Sequence, residues 1–371
     1  MLFNQVPYVP ILSLKPAEMA ALEELSSIEK DLLLPLIELK RWANSKTLEK
    51  SLDRIEKALG QRQWIADLDS EFIDSIEGKI DAGQVQDVFY QFQDLANPDS
   101  GYKNWTAFLD RFENLIPTLQ LSEISELKNQ LDNLRQLDRP IIARLKMAGP
   151  NSLTPSSLNR IVHDLSTTEI KSLFVILDYG DLTRINLLDY HQYSRLIVAL
   201  HKLLPNAVFS VSGTSFPYSF GRSFRGEIPI YERQIFNKVS RDCPDIRLIY
   251  SDRGSTRALS LGGGGGTPPP RIDYPLKNDW RFIRKELDED IGDTKESLYQ
   301  SAAKEMMDSD YWLENLPAWG RQMIEKTALG DKYGITSAHR ATAVRVNLHL
   351  YQQLHYLEDL DDIDTDEDWE D

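Results

Sequence analysis

Short apolar runs alternate with amphipathic stretches over the first 250 or so residues of the chain. This is the pattern of a parallel α/β fold, in which each buried strand is followed by a helix that covers it. The apolar runs predict strands at 8–14, 33–39, 64–68, 115–119, 140–145, 173–178, 207–211 and 246–250. Helical spacing predicts helices at 18–27, 48–59, 85–95, 105–112, 123–136, 156–165, 188–203 and 230–239. Met19, Leu22 and Leu25 form one such stripe. Eight strands with interleaved helices match a (β/α)8 TIM-like barrel in size. An open doubly wound sheet usually needs fewer strands and a glycine-rich turn after the first. Here that turn reads Ser13-Leu14-Lys15-Pro16, without glycine.

The polar residues near the strand ends sharpen this expectation. They are Ser13 and Lys15, Glu38, Asp67 and Asp69, Thr118 and Gln120, Arg144 and Lys146, Asp178, Ser210 and Ser212, and Asp252. They repeat on one parity, and side chains alternate faces along a strand, so these point one way. A closed barrel gives them a C-terminal mouth in which to meet water and ligand. A sheet covered on both faces would bury them at a cost. Beyond the predicted barrel at 1–258 the pattern changes. A Gly/Pro-rich loop at 259–270 contains five consecutive glycines and three consecutive prolines. A mixed, mostly helical region at 271–357 follows, with a hairpin from 271–274 and 279–284 and helices at 294–308, 310–328 and 336–357. Val344, Leu348, Tyr351, Leu354 and Leu357 stripe the last helix, which should dock on the barrel or on a partner.

Charge matters mainly at the C-terminal end. The formal net charge is −16, and ten of the fourteen residues at 358–371 are Asp or Glu, so the rest of the chain carries −6. Such a tail repels nucleic acid and suits a basic protein partner. Trp280, Trp312 and Trp319 are interleaved with acidic residues, which fits packing anchors better than base-stacking platforms. No run of eighteen apolar residues occurs, so no transmembrane helix is expected. A single cysteine, Cys243, forms no internal disulfide and fits a cytoplasmic protein.

The strand-end residues are where chemistry is expected. Glu38, Asp67 and Asp178 are carboxylates that can hold a divalent metal ion. Lys15, Arg144 and Lys146 can bind a phosphate or carboxylate, and a lysine depressed by cationic neighbours can act as base or nucleophile. Lys15, Glu38, Asp67, Lys146 and Asp178 are therefore the catalytic candidates. The competing reading is an ion-pair network that neutralises itself. None of the six histidines falls at a predicted strand end, which counts against an enzyme. Loops after the seventh and eighth strands carry Arg222, Arg225, Arg253 and Arg257, an expected anion-binding rim. With Arg144, Ser212 and Asp252 they complete the ligand-binding candidates. No G-x-x-x-x-G-K-[ST] or G-x-G-x-x-G motif occurs, and no cofactor is assigned.

Several segments together carry a resemblance. YVPILSLKPAEMAAL, PLIEL, SLFVILDYG, SGTSFP, IPIYERQIF, LIYSDRGSTR and RVNLHL occur in this order. The chain thereby resembles the phage-associated Beta protein family over nearly its whole length, outside the acidic tail and 70–110. The resemblance extends to Lys15 with Glu18, and to Ser215, Phe216 and Pro217. Two places depart from it. Glu232, Arg233 and Gln234 stand where an arginine, an acidic residue and a tryptophan are expected. Ser251, Asp252 and Arg253 stand where Gly-Asp-Tyr is common. The resemblance implies a protein of phages and mobile elements, in some cases paired with a toxic partner in Gop-Beta type phage-defence operons. It transfers no catalytic residue. The leading expectation is a defence component that recognises a phage product or controls a partner protein through a charged barrel mouth. The alternative is a barrel enzyme, metal-assisted through Glu38, Asp67 and Asp178, acting on a phosphorylated or nucleotide-like anion.

Overall fold

A computed structural model describes residues 3, 5–149, 151–221, 223–259, 268–287 and 293–358. Its parallel strands are apolar along most of their length and buried on both faces, as helix-covered strands must be. They are β1 (Tyr8–Ser13), β2 (Leu36–Leu39), β3 (Trp64–Leu68), β4 (Leu115–Pro117), β5 (Ile141–Lys146), β6 (Leu173–Asp181) and β7 (Val208–Thr214). After β8 (Arg225–Pro229) comes β9 (Tyr250–Asp252), followed by β10 (Arg271–Pro275) and β11 (Asp279–Arg284). One parallel sheet runs β4-β3-β2-β1-β9 and another β5-β6-β7. Isolated parallel bridges pair Thr118 with Ile142 and Phe209 with Leu248. The Leu119 N–H donates to the Ile142 carbonyl at 2.8 Å, and the Ile249 N–H to the Phe209 carbonyl at 3.0 Å.

Alternation divides the apolar side chains of these strands between two cores. Val9 and Ile11, Leu36, Ile65, Ile116, Ile142, Phe174 and Ile176, Val208 and Ile249 form one cluster. Tyr8, Ile37, Ala66, Leu115, Ala143, Val175 and Phe209 face the other way, into the cluster shared with the helices. A third core lies around β10, β11 and the last helices.

Differences from the predicted elements have local causes. The expected helix at 18–27 divides into Pro16–Glu23 and Ser27–Leu32, because Ser26 and Glu29 form a capping box that starts a new helix. The expected helix at 310–328 begins only at Trp319, since Pro317 disfavours helical backbone at Leu316. The eighth parallel strand is β9, displaced toward the C-terminus from 246–250, because Ile246 closes a turn on the Cys243 carbonyl. Residues 225–229, expected in a loop, form β8 and pair antiparallel with β11, which completes a three-stranded sheet with β10.

The last helix, Ala338–Leu354, is buried on nearly every side. Val346, Leu350 and Leu354 join the main core, while Val344, Leu348 and Tyr351 join the third. The stripe stops there, as Leu357 is 95% exposed. Buried Asn347 ties three helices together. Its amide donates to the Ala21 carbonyl at 3.0 Å, and its oxygen accepts from the Gly320 N–H at 2.9 Å. A side chain at position 320 would meet Leu348, so only glycine permits this approach. Among the described residues no helix is long and apolar enough to cross a membrane.

Candidate functional site

Strand register assembles the mouth. Ser13 lies opposite Glu38, and Glu38 opposite Asp67, across β1, β2 and β3. Lys146, Asp178 and Ser212 form the corresponding row across β5, β6 and β7. Arg144 reaches both rows. Its Nη1 donates to Asp67 Oδ2 at 2.9 Å, and its Nε and Nη2 to Asp178 Oδ2 at 2.9 and 2.7 Å. Nη2 also stands 2.8 Å from Glu38 Oε1. Arg253, from the turn after β9, adds a second guanidinium 2.7 Å from Asp178 and 3.8 Å from Glu38.

The electrostatics follow from this geometry. Burial would raise Glu38, but Arg144, Arg253 and Lys146 outweigh it and hold the carboxyl down to about 2. Asp178 meets burial with both arginines and sits well below the ordinary carboxylate range. Asp67 receives one guanidinium edge, and burial pushes it up despite Arg144. Three carboxylates thus converge on the Arg144 guanidinium, where a shared metal ion would otherwise have to sit. Among the described residues no group of three or more His, Cys, Asp or Glu is arranged to hold a metal ion.

Lysines ring this network. Lys146 Nζ donates to Ser70 Oγ, and Lys40 Nζ bridges Asp69 at 2.8 Å and Ser13 Oγ. The opening above is lined by Lys15, Glu38, Lys40, Lys146, Asp178 and Arg253. A larger cleft of about 380 Å³ adjoins it beneath Asp67, Gln120, Arg144 and Lys146.

The end of β9 holds a separate constellation. Asp252 Oδ1 accepts from the Tyr8 hydroxyl at 2.5 Å and from the Gly254 N–H at 2.8 Å. Its Oδ2 accepts from the Tyr250 hydroxyl at 2.8 Å and stands 2.7 Å from His349 Nε2. Gly254 makes the turn with φ +55°, and a side chain there would meet Leu12. Burial and Asp252 raise both tyrosines well above their ordinary range. Against expectation, a histidine therefore does stand at a strand end. The last helix delivers it across a separation of 97 residues, which strand positions alone could not reveal. Nearby, burial pushes Glu232 up to about 8, although Ser215 donates to it through both N–H and hydroxyl.

The remaining predicted residues are scattered. Ser212 is buried and accepts from the Ser251 hydroxyl at 3.1 Å. Arg225 lies away from the mouth, because β8 joins the antiparallel sheet and its exposed guanidinium pairs with Glu305 at 2.7 Å. Arg253 belongs to the Arg144 network instead of an open rim. Arg257 donates to the Pro217 and Tyr218 carbonyls at 3.1 and 2.8 Å. Arg222, the five glycines and the tail from 359 lie outside the described residues.

Comparison with known proteins places this arrangement in a family. No solved structure matches the chain. Protein beta of Enterobacteria phage P4 is 28% identical over 368 residues, covering 96% of this chain and 96% of its own length. The model of the family described as Beta protein matches residues 8–355, so the chain belongs to the phage-associated Beta protein family.

Proposed function

We propose that the protein is a phage-defence component that recognises a phage product or controls a partner protein through the charged mouth of a closed (β/α)8 barrel. Closure is supported by the bridges at Thr118 and Phe209, which join the two parallel sheets at both edges. One apolar cluster drawing on seven of the eight parallel strands, and on Ile249 just before the eighth, also supports it.

The observation that carries recognition over catalysis is the saturation of Arg144. Glu38, Asp67 and Asp178 are spent holding two guanidinium groups. A carboxylate so engaged is a poor general base, while fixed charges on rigid strands make a specific binding surface. The partner meets the lysines that line the opening and, behind them, Arg253 of the network, and the acidic tail offers a second contact to a basic protein.

Co-purification with the products of neighbouring genes, together with a phage-plating assay, tests this. Lys146→Ala and Arg253→Ala should lose partner retention and protection while the melting temperature of the Lys146 variant stays unchanged. The protein emerging alone, with protection unaffected by its deletion, would overturn the reading. Turnover of a phosphorylated substrate abolished by Asp178→Asn would replace it with the enzyme.

A further inference from the structure

A cleft of about 620 Å³ lies between the loop after β7, the β10–β11 hairpin and the last helix. Five cationic side chains line it, Lys15, Arg257, Arg271, Arg284 and Arg345, against two carboxylates, Glu18 and Asp273. Glu18 is turned to other work, accepting the Ser13 N–H at 2.5 Å. Asp273 is shared: Arg271 grips it at 2.6 and 3.0 Å, and Arg345 reaches it at 2.9 Å. Arg257 is held by two backbone carbonyls, which position a guanidinium without neutralising it.

Aromatic rings fix these cations in place. Arg271 lies 3.5 Å above the Phe220 ring, Arg345 3.9 Å above Phe216, and Arg257 5.3 Å from Tyr218. The Arg345 side chain is only 7% exposed, yet among the described residues its Nε has no hydrogen-bond partner. Burial lowers both Arg257 and Arg345, and proximity to Arg271 lowers them further. A buried donor left unsatisfied among crowded like charges is destabilising, and an anion removes both costs.

We propose that this cleft binds a small molecule carrying at least two phosphoryl groups, gripped by Arg257, Arg271 and Arg345. The lining carries three more cations than carboxylates, and one terminal phosphoryl group brings about −1.5 to −2 at pH 7. Two such groups match that excess. Planar guanidinium forks suit phosphoryl oxygens. A long polyanion is disfavoured because the chain as a whole carries −16. Lys15 and Arg257 also border the mouth, so the ligand would sit at its edge. The inference does not depend on what the mouth recognises.

Calorimetric titration of the full chain with pyrophosphate, ATP and inorganic phosphate tests it. Pyrophosphate and ATP should bind in preference to phosphate, and Arg257→Gln and Arg271→Gln should each weaken them about tenfold or more. Arg225→Gln, on the exposed face of β8, should bind as wild type. Arg257→Gln carries the test should the Arg271 variant misfold, because its bonds are to backbone alone. Tighter binding of ATP than of pyrophosphate identifies a nucleotide, and equal binding identifies the diphosphate itself. Absence of binding at millimolar concentration, or undiminished affinity in Arg257→Gln, overturns the proposal. Phage protection reads the mouth independently.

Discussion

The two charged regions are built from the same residue types in opposite proportion. At the mouth, three carboxylates share Arg144 and Arg253, so that within this network the acids are in excess and the lysines around it make up the balance. In the cleft beside it, several guanidiniums surround Asp273. The first arrangement is complete within the chain, since every member of the network has a counter-charge. The second is not, since Arg271 and Arg345 share the single carboxylate of Asp273 while Arg257 donates to backbone carbonyls. A closed network gives rigidity, whereas an open one leaves attraction for something else. This contrast, more than the number of charges, separates a positioning device from a receiving site.

Breaking the mouth should have the largest effect. Among the described residues, Arg144→Met takes the only guanidinium from buried Asp67 and leaves Asp178 and Glu38 to Arg253 alone, and denaturant unfolding should show a loss of about 3–5 kcal/mol that added anions do not restore. Asp273→Asn should cost about 3 kcal/mol by the same reasoning, but here pyrophosphate should raise the melting temperature again, because it replaces the missing charge. An unrestored Asp273 variant would erase the distinction drawn between the regions.

Acidity gives a smaller and signed test. Glu38 is held at about 2, below its ordinary 4.5, so its contribution is present above pH 4.5 and lost as pH falls toward 2. Glu232 behaves oppositely. Its carboxyl is pushed up from 4.5 to about 8, so stability should fall as pH rises through that interval, by at most about 1.4 kcal/mol per pH unit. Unfolding measured from pH 5 to 8 should show this slope in the wild type and a flatter curve in Glu232→Gln. Smallest of all, Arg225→Gln breaks an exposed ion pair and should change stability by less than about 0.5 kcal/mol.

How far such features could be read from sequence depends on distance along the chain. The mouth was legible because strand alternation is local. Ser13, Glu38, Asp67, Arg144, Lys146 and Asp178 each announce their facing within a few residues, and register then aligns them. The hairpin at β10 and β11 was legible for the same reason. Nothing near 225–229 signals a strand, because that stretch gains its pairing from β11, fifty residues onward. His349 and Arg345 looked like positions on an amphipathic helix. Their meaning comes from Asp252 and Asp273, 97 and 72 residues away, which no periodicity connects. The charged rows were visible, whereas how Arg144 and Arg253 divide the three carboxylates between them required the third dimension.

The last helix reaches back to Ala21, Asp252, Asp273 and Arg233, through Asn347, His349, Arg345 and Gln353. Each of these tethers waits for residues made late in synthesis. The nascent parallel strands thus leave the ribosome with Asp252 and its two tyrosines still uncovered by His349. Contacts of such long sequence separation fold slowly, because a large loop must close before any is rewarded. The fold is therefore completed only after residue 353 has been made. A chain that stops before residue 345 lacks the Arg345 partner of Asp273 and the His349 partner of Asp252, and leaves both carboxylates without their cation or imidazole.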